Sequence, residues 1–305
     1  MKRFVNTLIS FFPPILAFGL EFVASFFAIG VMLFVLIYTS NLSYTTFYEV
    51  LSDQDFNAIL SMIFSLSCIV VFGIWYYWKC EGNYTPAPSR TFRPSMLIAV
   101  VLMVPGAQFL STILIAITDL INPAWLEYYM DLIESTGMTD GSAVLTAIYA
   151  VLLAPVGEEL IFRGVTFRLA RKAMPFWVAN LFQAMLFGIF HMNVIQGVYA
   201  FALGILLGYV CERGGSIYYS ILLHLVFNLW GTYFSELVDF GDKYAAYYAF
   251  YGIATVVFVF AIILFNRGRK ALARDNAQRD AQMTQLAYDT PEYDVPEYEQ
   301  PQMMQ

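Results

Sequence analysis

Histidine is almost absent from this 305-residue chain, which has only two, His191 and His224. Cysteine is scarce too: Cys68, Cys80 and Cys211 have neither metal-type spacing nor an obvious pairing, which argues against a disulfide framework. Charge is the third shortage. Asp, Glu, Lys and Arg make up 13% of the residues against 59% hydrophobic and 18% aromatic, where a soluble domain carries about a quarter charged residues. That composition, with a mean hydropathy of +0.63, is the profile of a polytopic membrane protein. No HExxH occurs, which removes a zincin-type helix, and no Asp lies deep in an apolar run, which removes an aspartyl pair. The GGS at 214–216 is not followed by Gly and supports a serine nucleophile only weakly. No small-residue cleavage site follows the long first apolar run, so no cleavable signal peptide is expected.

What is present is a series of apolar runs. At about 20 residues per membrane helix, candidate spans fall near 10–38, 57–78, 95–118, 142–167, 175–193, 195–211, 215–235 and 244–266. Segment 120–136 is too charged to span and reads as an amphipathic interfacial helix. If the eight spans alternate, 14 of the 16 Lys and Arg fall on one side, leaving Lys243 opposite and Arg163 within a span. The positive-inside rule then puts both termini in the cytoplasm, and the plasma membrane is the expected location in a bacterium. The net charge of -7 owes much to the end of the chain, where Asp289, Glu292, Asp294, Glu297 and Glu299 follow the last basic residue, Arg279. Nothing points to nucleic acid, and the partners expected are the bilayer and a membrane-borne substrate. No internal repeat marks the paired halves of a transporter.

An ionisable group at the bilayer centre costs at least about 2.5–3.5 kcal/mol, so it normally faces a protein interior and marks function. The set here is Glu21, Glu158, Glu159, Arg163, His191 and His224, with Asn228 as a polar companion. Glu21 stands alone in the first span, where an interior hydrogen bond and an auxiliary functional role are equally open. In APVGEELIFRG (154–164), Glu159 and Arg163 stand four residues apart, about 40° from each other round a helix, and can pair. Glu158 is turned about 100° away and is left without a local counter-ion. Pro155 and Gly157 just ahead are expected to loosen the helix. His224 and Asn228, also four apart, share a face. A lone membrane histidine is more often a helix-to-helix hydrogen bond, but here every histidine sits in a span near a glutamate pair.

These groups suit peptide-bond hydrolysis. A glutamate helped by a histidine takes a proton from water, and the tetrahedral oxyanion accepts hydrogen bonds from a histidine N–H and an asparagine amide.

The three pieces, EELIFR (158–163), FGIFH (187–191) and HLVFN (224–228), resemble the motifs EExxxR, FxxxH and HxxxN of the CPBP intramembrane proteases. This is the Abi, or type II CAAX prenyl endopeptidase, family. The resemblance covers about 142–235 and implies an all-α polytopic fold of about eight transmembrane helices around an intramembrane site. It also implies that Glu158 and His191 activate the water, that His224 and Asn228 form the oxyanion hole, and that Glu159 and Arg163 support them. Members are often labelled metalloproteases, and Glu158, His191 and His224 are the candidate zinc ligands. Metal-independent catalysis is nevertheless the favoured expectation, because zinc would occupy the oxyanion donors.

The expected organisation is therefore N-terminal spans with the interfacial helix (1–141), a catalytic core (142–235), a last span (236–270) and a polar, structureless tail (271–305). The main alternative is a non-proteolytic scaffold, maturation partner or bacteriocin-immunity factor that keeps the polar site. A transporter using the same buried charges is a weaker one.

Overall fold

The computed structural model describes residues 2–81, 88–135, 144–234 and 244–289. Every described element is a helix, as the apolar runs imply. Helix α1 (Lys2–Ile9) leads into α2 (Phe12–Tyr38), with Pro13 and Pro14 in its first turn, where a missing N–H costs nothing. Short α3 (Tyr44–Leu51) precedes α4 (Gln54–Trp75), whose N-cap Asp53 accepts from the Phe56 N–H at 2.8 Å. A four-residue α5 (Pro88–Thr91) precedes α6 (Pro94–Ile121) and α7 (Pro123–Ser135).

One continuous helix then covers Val144–Arg171. It consists of α8 (Val144–Ile148), α9 (Ala154–Glu159) and α10 (Phe167–Arg171), joined by π-helical stretches at Tyr149–Leu153 and Leu160–Thr166. The first π stretch lies just before Pro155, whose ring would meet the carbonyl four residues back in a regular helix. The loosening expected at Pro155 and Gly157 takes this form. After it come α11 (Phe176–Phe190), α12 (Val194–Gly214), α13 (Ile217–Leu229) with a π-helical continuation at Trp230–Phe234, and α14 (Tyr244–Asp289).

Among the described residues, six helices are long and apolar enough to cross a membrane: Lys2–Tyr38, Gln54–Trp78, Pro94–Ile121, Val144–Arg171, Val194–Gly214 and Ala245–Leu286. The other two expected spans are shorter. The fifth is α11, 15 residues that begin after an elbow at 172–175 and stop before His191. The seventh is α13, with 13 α-helical residues before its π continuation. The interfacial segment is α7, whose 13 residues are too few to span.

The polar stretch from 271 is not structureless throughout. Helix α14 runs 46 residues to Asp289, because KALARDNAQRDAQMTQLAYD (270–289) contains neither Gly nor Pro and is rich in helix formers. Arg90 and Arg93 reach its Asp280 and Asp275, and Asn276 donates to the Arg90 carbonyl at 2.9 Å. The remainder, 290–305, lies outside the described residues.

The buried core gathers Met96, Ala99, Val100 and Met103 of α6, Phe162 and Val165, Leu207 of α12 and Leu223 of α13. Helix α6 is central, packing against α12, α13 and α14, while α11 packs along α12. That last pair is close because it is glycine-faced. A Cβ on Gly188 would stand 2.6 Å from the Gly197 carbonyl oxygen, and one on Gly204 would stand 3.0 Å from the Ala184 Cβ.

Candidate active site

Four helices converge on the charged motif. The continuous helix supplies Glu158, Glu159 and Arg163; α11 ends at His191; α13 supplies His224 and Asn228; α12 backs them. Four-residue spacing brings Glu159 and Arg163 together as the helical period requires: Arg163 Nη1 donates to Glu159 Oε1 at 2.7 Å, with both side chains fully buried. Arg163 Nη2 also reaches the Gly204 carbonyl at 3.3 Å. Its guanidinium carbon lies 4.4 Å from the centroid of the Phe187 ring, a cation–π contact.

Glu159 has a second partner that no local spacing discloses. His224 Nδ1 lies 2.9 Å from the same Oε1. A carboxylate oxygen beside a guanidinium accepts, so Nδ1 carries the proton and the ring is turned to present Nε2. Nε2 in turn stands 3.6 Å from Glu158 Oε2. Glu158 thus faces a histidine rather than standing alone, and it is partly accessible, with its side chain 19% exposed against 3% for His224 and none for Glu159. His224 bridges one wholly enclosed carboxylate and one that can be reached.

His191 caps α11. Its Nδ1 is 2.8 Å from the Phe187 carbonyl, and a carbonyl only accepts, so Nδ1 donates and Nε2 keeps its lone pair. The chain turns sharply here: Met192 has a left-handed φ of 54°, and Asn193 caps α12 by accepting from the Gln196 N–H at 3.0 Å. Asn228 Nδ2 donates to the Ala150 carbonyl at 2.8 Å, which leaves its second N–H available and ties α13 to the first π stretch. Phe187 lies edge-on at the centre, with its centroid 4.8 Å from His191 and 5.7 Å from His224. The aromatic residue of FGIFH is thus a packing hub for both histidines and for Arg163.

Sequence reasoning passed over the polar pair Asn180 and Gln183. Both are fully buried. Gln183 Nε2 donates to Asn180 Oδ1 at 2.8 Å and to the Gly204 carbonyl at 2.9 Å, while Asn180 Nδ2 donates to the Ile205 carbonyl at 2.9 Å. The Gly204 carbonyl therefore serves both Arg163 and Gln183, so it joins the glutamate helix to the helix that ends at His191. Two amides three apart on an otherwise apolar helix were the available signal. Glu21, by contrast, lies on an exposed face of α2.

Among the described residues no three His, Cys, Asp or Glu side chains are grouped to hold a metal ion, so the set as it stands does not fit zinc.

The chain is thus an integral membrane protein of helical type, with a buried cluster of carboxylates and imidazoles between its helices. Residues 140–230 match the family model described as type II CAAX prenyl endopeptidase Rce1-like, and the resemblance read from the three motifs holds. The match supports a CAAX-type intramembrane protease. No curated protein and no solved structure matches the chain.

Proposed function

We propose that the protein is an intramembrane endopeptidase that hydrolyses a peptide bond of a membrane-associated protein or peptide, using Glu158 as general base. The observation that carries this reading is the bridging position of His224 between the enclosed Glu159 and the accessible Glu158.

In this reading a water held between Glu158 and His191 Nε2 loses a proton to Glu158 as its oxygen attacks the scissile carbonyl. The negative charge that develops on the carbonyl oxygen accepts from His224 and from the free N–H of Asn228. Since Nδ1 of His224 already donates to Glu159, donation from Nε2 to the oxyanion uses the doubly protonated ring, in which both nitrogens carry protons. The protonated Glu158 then donates to the departing amine, which breaks the C–N bond and restores the carboxylate. Arg163 keeps Glu159 charged, and Glu159 keeps His224 oriented. The arrangement is laid out before substrate arrives, which is where such sites obtain most of their rate.

The termini are cytoplasmic in this reading, on the strength of the basic residues crowded at one end of the bundle. The test is cleavage of a candidate membrane substrate by purified protein in proteoliposomes. Glu158→Gln and His191→Ala should each abolish cleavage while inserting normally. Normal cleavage by either variant refutes the proposal. A Glu158→Gln variant that complements a deletion strain would instead favour a scaffold or immunity role.

A further inference from the structure

The helices around the glutamates differ in how far they run past the site. Glu158 is 14 residues from Val144, where its helix begins, so that helix rises ~21 Å beyond it. The α4 wall stands opposite: Gly157 lies against Ser65 and Cys68, and α4 starts at Gln54, ~16 Å further on. From His224 the α13 helix and its π continuation run on to Phe234, another ~15 Å. The α11–α12 hairpin behaves differently. Phe187 is level with His224, and α11 ends three residues later, so the hairpin tip stops about one turn past the site. Three of these helices run on well past the glutamates, whereas the α11–α12 hairpin turns about one turn beyond them, at His191 and Met192. Met192, at the tip, is 75% exposed.

The hairpin turn lies at the end of the bundle that is poor in basic residues. Lys172 precedes α11, Arg213 lies at the far end of α12, and Arg168 and Arg171 end the continuous helix, all at the basic end. The opposite end holds the helix ends at Tyr38, Ile121 and Phe234, and Lys243 is the one Lys or Arg that the alternation of spans in the sequence assigns to it. Helix α7, which follows α6 at that end, folds back onto the hairpin there. Its Tyr129 hydroxyl lies 3.0 Å from that of Tyr199 on α12.

We infer that the active site is entered from the non-cytoplasmic face, beside α7, and that its substrates are polypeptide segments presented from that side or its leaflet rather than cytoplasmic lipidated C-termini. This rests on the endopeptidase reading for the word substrate, but the sidedness itself can be measured without turnover. In a chain with Cys68, Cys80 and Cys211 replaced by Ala, Met192→Cys is treated with a membrane-impermeant maleimide in right-side-out and in inverted vesicles. Lys172→Cys serves as the opposite-face control, and Val194→Cys, also at the tip, repeats the measurement should Met192→Cys fail to fold. The tip cysteine should label at least tenfold faster in right-side-out vesicles, and the control in inverted ones. Faster labelling of the tip in inverted vesicles, or none from either face, overturns the inference. An inactive protein with outward labelling would refute the protease reading and leave the sidedness standing; an active one with inward labelling would do the reverse.

Discussion

Removing Arg163 tests the charge arrangement most severely. Its guanidinium and the Glu159 carboxylate are both fully buried at 2.7 Å, so Arg163→Met leaves an enclosed carboxylate without its guanidinium, held by the His224 Nδ1–H and the Ser220 hydroxyl. Breaking a buried pair from one side costs about 3–5 kcal/mol, mostly the desolvation of the charge left behind. Replacing both partners together removes that stranded charge. Arg163→Met/Glu159→Gln should therefore be less destabilised than Arg163→Met alone, by about 1–3 kcal/mol. The assay is unfolding in mixed micelles by titration with a denaturing detergent, followed by helical circular dichroism and run as a double-mutant cycle. The double variant should be stable yet inactive, since His224 then lacks its anionic orienting partner. Additive losses, or a double variant as active as the parent, would refute the argument that Glu159 acts as a charge held by Arg163 on behalf of His224.

Three further outcomes follow from the same geometry. Asn228→Ala should reduce turnover by about a hundred- to a thousandfold, the usual cost of an oxyanion donor; an unchanged kcat with only a raised KM would remove it from that role. Gly188→Ala places a methyl group 2.6 Å from the Gly197 carbonyl, so the hairpin must part and His191 must shift; activity should fall at least tenfold, while Gly252→Ala, which meets nothing within 4 Å, leaves it unchanged. Arg93→Ala releases one of two half-exposed ion pairs between α14 and the segment before α6. The loss should be about 0.2–1 kcal/mol and should vanish in high salt, as an exposed pair is screened; a larger, salt-independent loss in the same detergent titration would contradict this.

Much of the site was legible because its groups share local helical spacing. Glu159 and Arg163 lie one turn apart, and the helix period alone pairs them. What spacing could not disclose is contact across 66 residues of chain, so Glu158 reads as solitary in the sequence whereas it faces His224. The Asn180 and Gln183 amides carry no charge and so do not stand out in the sequence, although a buried amide needs partners no less. The count of about eight spans is matched by six long helices, with α11 and α13 shorter. Helix α11 stops before His191, and a length criterion set by bilayer thickness does not register its 15 residues. The α14 extension is not legible as structure because a polar stretch without apolar periodicity resembles a tail, yet its helix-forming composition and its acidic contacts to Arg90 and Arg93 hold it in shape.

The central claim is that Glu158 is the base of a peptide-bond hydrolysis, and a comparison of membrane peptidomes from cells carrying the parent protein and Glu158→Gln tests it most directly. The account predicts that at least one membrane polypeptide accumulates uncleaved in the Glu158→Gln cells, and that its fragments appear only with the parent, at equal levels of inserted enzyme. Indistinguishable peptidomes, with the parent's cellular role intact in the Glu158→Gln cells, would contradict it.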